Sequence, residues 1–209
     1  MIIRMGFYAK YVLPRAVRFL CSAKPFRRQR EKVVPLAEGR VLEVGIGFGL
    51  NLPFYAAGQV QHLWGLDPSK ESWALAQPAV AQAEFDVEFI AATAEEIPLD
   101  DGSADTVLVT YTLCSIPGIL PALGEMRRVL KQGGQLIFCE HGTAPDEAVR
   151  RWQNRLNPIW KRVSGGCNLN LPVPSLLNQA GFRIRAMDTM YLPGWKPACF
   201  NYWGTATSS

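Results

Sequence analysis

Long apolar runs are missing from this 209-residue chain. Nothing approaches the roughly 18 consecutive apolar residues of a membrane-spanning helix. The N-terminus has no apolar core followed by small cleavage-site residues, so neither a transmembrane helix nor a secretory signal is expected. Histidine is scarce, with only His62 and His141, far apart in sequence. Cysteine is odd in number and scattered: Cys21, Cys114, Cys139, Cys167 and Cys199, with no CxxC pair. That spacing argues against a zinc site or a disulfide framework, and the expectation is no metal and reduced thiols in a cytoplasmic setting. Repeats and low-complexity segments are absent too. With 48% hydrophobic and 19% charged residues the chain can bury one substantial core.

Acidic residues are almost missing from the first 32 positions. Glu31 stands there alone against nine basic side chains, so the head carries +8. The whole chain carries +4, which leaves the body at −4. A basic head next to an acidic body suits an anionic partner such as a membrane surface, or is simply a solvated helix face. Residues 1–35 are read as a basic helical extension and 36–209 as the main domain. Apolar Val12, Leu13, Ala16, Val17 and Leu20 share one side of a helix there, and residues 25–34 form a second.

From Arg40 onward short apolar runs alternate with helical segments. Strands are expected at 41–45, 62–67, 87–92, 105–112 and 135–141. Helices are expected at 50–57, 69–83 and 117–130, the last capped by Gly133 and Gly134. Such alternation implies an α/β, doubly wound parallel sheet. Beyond Gly142 the pattern predicts a helix over 144–161, a loop over 165–174, a short helix over 174–181 and two final strands, over 182–187 and 198–206.

The stretch LEVGIGFGLN, residues 42–51, ends the first strand with Gly45, Gly47 and Gly49. Glycines there let the chain turn tightly and let a ligand approach the backbone. The spacing is not the GxGxxG of nicotinamide and flavin sites, because Leu50 and Leu52 stand where a third glycine belongs. Asp67 ends the second strand, where an acid accepts hydrogen bonds from a ribose diol or opens a turn before Pro68. Ala94 and Glu95 follow the third strand on the same edge. Three signals on one sheet edge point to a nucleoside-containing small molecule.

EVGIGFG, GLDPS, TAEEIPLDDGSADTV and RVLKQGGQLIFCEHG, in that order, resemble class I S-adenosylmethionine-dependent methyltransferases over about half the chain. The resemblance implies a Rossmann-like seven-stranded sheet with an antiparallel last strand. It also implies that the cofactor, converted to S-adenosylhomocysteine, is held by Glu43, Gly45, Gly47, Gly49, Asn51, Asp67, Pro68, Ala94, Glu95, Thr110, Tyr111 and Leu113. TYTLCSI, CEHG and the pattern of Trp152, Trp160 and Cys167 to Leu169 are similar to the small thiol methyltransferase-like (methyltransferase type 11) family. The acceptor implied is a small apolar molecule, a thiol first, with a quinone-type carbon or a lipid amine as alternatives. A cofactor-binding partner without catalysis is a further alternative. No nucleic-acid partner is expected, since no NPPY-like tetrad follows the fourth strand.

Methyl transfer from a sulfonium needs mainly a nucleophile placed near the methyl carbon and the exclusion of water. His141, after the fifth strand, is the candidate base or orienting donor, or a structural histidine. Glu140, Cys167, Trp160 and Trp195, with Tyr8 and Tyr11 from the head, are the candidate acceptor-pocket residues, each of which also suits plain packing. Cys114 is expected to pack around the cofactor. The head is expected to close over the pocket as a lid and to touch anionic membrane peripherally.

Overall fold

The computed structural model describes residue 19 and residues 21–208. Tyr8, Tyr11 and most of the expected lid lie outside the described residues.

Seven strands form one sheet in the order β3-β2-β1-β4-β5-β7-β6. They are β1 (Gly39–Val44), β2 (Val60–Leu66), β3 (Asp86–Ile90), β4 (Ala104–Thr110), β5 (Leu130–His141), β6 (Phe182–Tyr191) and β7 (Phe200–Ser208). The first five pair in parallel, and β7 runs antiparallel between β5 and β6. The helices are α1 (Lys24–Val33), α2 (Lys70–Val80), α3 (Ile119–Val129), α4 (Glu147–Val163), α5 (Val173–Gln179) and the short α6 (Lys196–Cys199). No described helix is long and apolar enough to cross a membrane.

The central strands are apolar on both faces, as a sheet covered on both sides requires. Alternate residues enter separate cores. Leu42, Val44, Val107, Val109, Leu136 and Phe138 face one layer. Val41, Leu63, Leu108, Ile137 and Cys139 face the other. Helix α3 buries Ala122, Leu123, Met126 and Val129, a single stripe at helical spacing. Helix α2 starts where the Ser69 hydroxyl accepts the Ser72 N–H at 3.1 Å. Crossovers from β1 run to β2 on one side and β4 lies on the other, so the crevice that gathers ligands opens between β1 and β4.

Three expectations are corrected. Residues 50–57 hold only a three-residue turn, Leu52–Phe54, in place of a helix. Tyr55 turns to extended backbone so that its hydroxyl reaches the Glu43 carboxylate. Gly133 and Gly134 do not cap α3, which passes directly into β5 at Leu130. The pair instead sits inside β5, where its register against β4 jumps. The head is not wholly a solvated face either. Arg30 is buried, with its guanidinium 5.3 Å from the centre of the Tyr111 ring, and donates to the Cys21 carbonyl at 2.7 Å.

Candidate active site

The turn after β1 holds Gly45, Gly47 and Gly49 at φ +78°, +47° and +68°. A Cβ on Gly45 would collide with the Thr112 side chain, so glycine there lets the turn after β4 pack against the turn after β1. The Gly47 N–H donates to Asp67 Oδ2 at 3.0 Å, and the Ser69 N–H donates to Oδ1 at 2.8 Å. Asp67 thus joins the glycine turn to the start of α2 and keeps lone pairs for a ligand. Pro68, beside it, is exposed. Ala94 is buried after β3, and Glu95 accepts the Gly118 N–H at 3.0 Å, ahead of α3.

Glu43 sits below the turn, 1% exposed. Asn51 donates to it at 2.9 Å and Tyr55 at 2.7 Å, and Asn51 also donates to Thr110 Oγ1 at 3.0 Å. Burial pushes the Glu43 carboxyl up to about 7, against the lowering pull of those two bonds. The folded state therefore keeps a proton that the unfolded chain has released, between pH 4.5 and about 7. Its stabilising effect is complete below 4.5 and lost as pH rises through 7. Glu43→Gln is therefore expected to gain on the wild type by up to about 1.4 kcal/mol per pH unit across that window. Denaturant unfolding at pH 5, 6 and 7 measures it, and a constant difference between the two proteins would refute the buried acid.

After β4, Tyr111 takes φ +53°, the only non-glycine residue described with a positive φ. Strain of that kind gathers at functional sites. Its hydroxyl donates to Asn201 Oδ1 at 2.8 Å, and its ring meets Phe26 of α1 edge-on at 5.0 Å. The Thr112 and Leu113 N–H groups both donate to Glu140 Oε1, at 2.6 and 2.9 Å. Glu140 Oε2 is buried with no protein partner among the described residues, and burial pushes this carboxyl up to about 7 as well.

The last residue of β5, His141, meets the loop after α4: its Nε2 lies 3.2 Å from Cys167 Sγ. Trp160 Nε1–H donates to the same sulfur at 3.4 Å, and Trp195 lies 5.8 Å from Trp160, ring to ring. The Cys114 and Cys167 sulfurs lie within 4.8 Å of each other, and Cys114 draws the Cys167 pKa down against burial, with His141 drawing it down further. Burial lowers the His141 pKa, but the bond and charge of Cys167 outweigh it and raise it. Thiolate and imidazolium thus support each other. Trp152 stands apart, more than half exposed, and Tyr191 donates to Asp146. A cavity of about 490 Å³ opens between α1, the glycine turn and α2, lined by Cys21, Arg27, Arg30, Phe48, Gly49 and Leu52 among others.

Three residues escaped the sequence reading. Arg30 lay within a charge run, Asn201 within a strand, and Gln153 within a helix, so none carried a local signal. Gln153 is fully buried. Its Nε2 points at the Gly142, Leu169 and Pro197 carbonyls at 2.9–3.0 Å, and its Oε1 accepts the Ala144 N–H at 3.0 Å.

The glycine turn at the end of β1 and the acid at the end of β2 fit S-adenosylmethionine, whose amino-acid part would pass the turn's backbone and whose ribose would meet Asp67. Asp67→Ala is expected to weaken binding of S-adenosylhomocysteine by about 1–3 kcal/mol, the cost of leaving hydroxyls unpaired. Calorimetry with unchanged affinity would take Asp67 out of the site.

Residues 42–138 match the family model described as a methyltransferase domain. Human thiol S-methyltransferase TMT1B is 32% identical over 88% of this chain and 78% of its own length. Human TMT1A is 32% identical over 85% and 75%. Across the rat, mouse and human TMT1 proteins the chain spans 65–78% of the relative's length. A phosphatidylethanolamine N-methyltransferase of Cereibacter sphaeroides is 31% identical over 62% and 68%, and a demethylmenaquinone methyltransferase of Clavibacter sepedonicus 34% over 57% and 48%. A SAM-dependent methyltransferase of Thermotoga maritima shares the fold with a TM-score of 0.66, at 22% identity over 98% and 99% of the two chains.

Proposed function

The chain belongs to the S-adenosylmethionine-dependent methyltransferases, and from that membership we propose that it moves a methyl group to a small, apolar thiol. The observation that carries the acceptor is the identity to thiol S-methyltransferases along most of the chain. The cavity near α1 is a separate feature: Arg27 and Arg30 stand in its wall, and none of His141, Trp160, Cys167 and Trp195 lines it. Bound S-adenosylmethionine supplies an activated methyl group on a positive sulfur. The protein's part is placement and the exclusion of water. The turn at Gly45–Gly49 takes the amino-acid part and Asp67 the ribose, Glu140 holds the β4 turn in place, and His141 works on the acceptor side. A quinone-type carbon or a lipid amine is the second reading, favoured by the two bacterial relatives.

The test is a panel of alkyl and aryl thiols, quinols and amines with methyl-labelled cofactor. Methylated thiols are expected. His141→Ala should lower kcat by roughly 10²-fold or more while leaving affinity for S-adenosylhomocysteine unchanged, because it does not touch the nucleoside. Labelled quinol or amine with every thiol untouched would overturn the acceptor class. Full turnover in the variant would leave His141 a structural residue.

A further inference from the structure

We propose that Cys114, His141 and Cys167 form a zinc site whose fourth position takes the thiol to be methylated. These residues come from three separate segments: the turn after β4, the end of β5 and the loop after α4. One ligand atom from each lies within 4.8 Å of the other two. A tetrahedral zinc with two sulfurs at about 2.3 Å and a nitrogen at about 2.0 Å sets its ligands roughly 3.5–3.8 Å apart. The group is therefore nearly closed already, and the His141 to Cys167 separation of 3.2 Å needs only slight opening. Two thiolates and an imidazole make a soft set that suits zinc and disfavours magnesium or calcium.

The sequence reading set zinc aside because no two cysteines had close spacing. The sheet supplies the nearness instead, since β4 and β5 are paired neighbours.

The open position follows from the ligand count. Among the described residues no fourth cysteine, histidine or carboxylate joins the group. Structural zinc sites close with four protein ligands, whereas three protein ligands leave room for a reacting molecule. The site also shares a segment with the cofactor cradle. Thr112, which abuts Gly45, stands two residues before Cys114. The turn that would supply one zinc ligand is thus the turn that packs against the glycine loop.

The chemistry balances. An entering thiol binds through sulfur and gives its proton to solvent, because a coordinated thiol is deprotonated outright. A sulfur lone pair then forms the new bond to the methyl carbon. The bond from that carbon to the sulfonium breaks, and its electrons return to the departing S-adenosylhomocysteine. The product is a neutral thioether, a weaker ligand than a thiolate, and it leaves. His141 acts here as a ligand and not as the base.

The fourth-ligand role rests on the thiol reading above, while the metal does not, and the experiment separates them. The full chain, purified with zinc in the medium, is measured for metal by plasma mass spectrometry, and its cobalt-substituted form by absorption. One zinc per chain and a thiolate-to-cobalt charge-transfer band are expected. Cys114→Ser, Cys167→Ser and His141→Ala should each lower zinc content at least about tenfold, as loss of a ligand does. Retained binding of S-adenosylhomocysteine shows that those variants fold. Adding an alkyl thiol should shift the cobalt band. Zinc-free protein, or a Cys114–Cys167 disulfide in place of metal, would overturn the site. Bound zinc with a cobalt spectrum indifferent to every thiol would overturn the fourth-ligand role and leave the metal. A shifted band without methyl transfer would support the site and count against the proposed activity alone.

Discussion

Gly45→Ala is expected to abolish measurable binding of S-adenosylhomocysteine and to lower stability by roughly 2–5 kcal/mol. Two separate costs add. A backbone at φ +78° is strained for any residue with a Cβ, by about 1–2 kcal/mol. The new Cβ also meets Thr112 Oγ1 and Cγ2, an overpacking worth about 1–3 kcal/mol more. The clash is with the β4 turn, so relief must displace the segment that Glu140 holds in place. Thr112→Ala in the same chain should recover the steric part and leave the backbone part. Gly124→Ala is the control. It lies inside α3 with open space around it, and alanine there should stabilise by up to about 1 kcal/mol. Thermal unfolding and calorimetry read both effects. A Gly45→Ala protein with wild-type affinity would mean that the turn is not a ligand surface.

Gln153→Leu should be among the most destabilising single changes in the described structure. The side chain keeps its volume but loses three bonds: the one that Oε1 accepts from the Ala144 N–H, and the two that the Nε2 protons share among the carbonyls of Gly142, Leu169 and Pro197. Each orphan costs about 1–3 kcal/mol, so a loss of at least 3–5 kcal/mol is expected if water cannot enter. Gln153→Glu should be worse than leucine, because it sets a carboxylate against three carbonyl oxygens. These bonds join α4 to the exit of β5, to the loop that carries Cys167 and to α6. The same change should therefore cut turnover in whatever protein remains folded, ahead of any loss in cofactor affinity. Urea unfolding with a midpoint equal to that of the wild type would show that the network carries no net energy.

The central sheet was legible because each of its strands is an apolar run closed by a turn, as in VLEVG and DTVLVT. The glycine turn and Asp67 were legible for the same reason. They lie at strand ends, so their position in the chain fixes their position on the sheet edge. Residues 50–57 misled because helical composition competed with a distant demand: the Glu43 carboxylate needs the Tyr55 hydroxyl, which requires extended backbone. Gly133 and Gly134 looked like a helix cap, but pairing with β4 takes the chain into a strand first. Gln153, Arg30 and Asn201 stayed hidden because their partners lie on other elements. The approach of Cys114 to Cys167 was hidden likewise, since it depends on where the loop after α4 folds back.

Strand β7 has a consequence for how the molecule is made. It fills the gap between β5 and β6, yet it follows both in the chain. As the polypeptide leaves the ribosome, the edge of β5 that bears Leu136, Ile137 and Phe138 stays open until residues 200–208 appear. An unpaired apolar edge invites pairing with other nascent chains. His141 ends that same edge and pairs with Asn201 at the start of β7. The acceptor half is therefore the last part to mature, whereas the β1–β4 cradle can form earlier. Ribosome-bound chains halted before residue 200 should already retain S-adenosylhomocysteine, cling to holdase chaperones, and release them once β7 emerges.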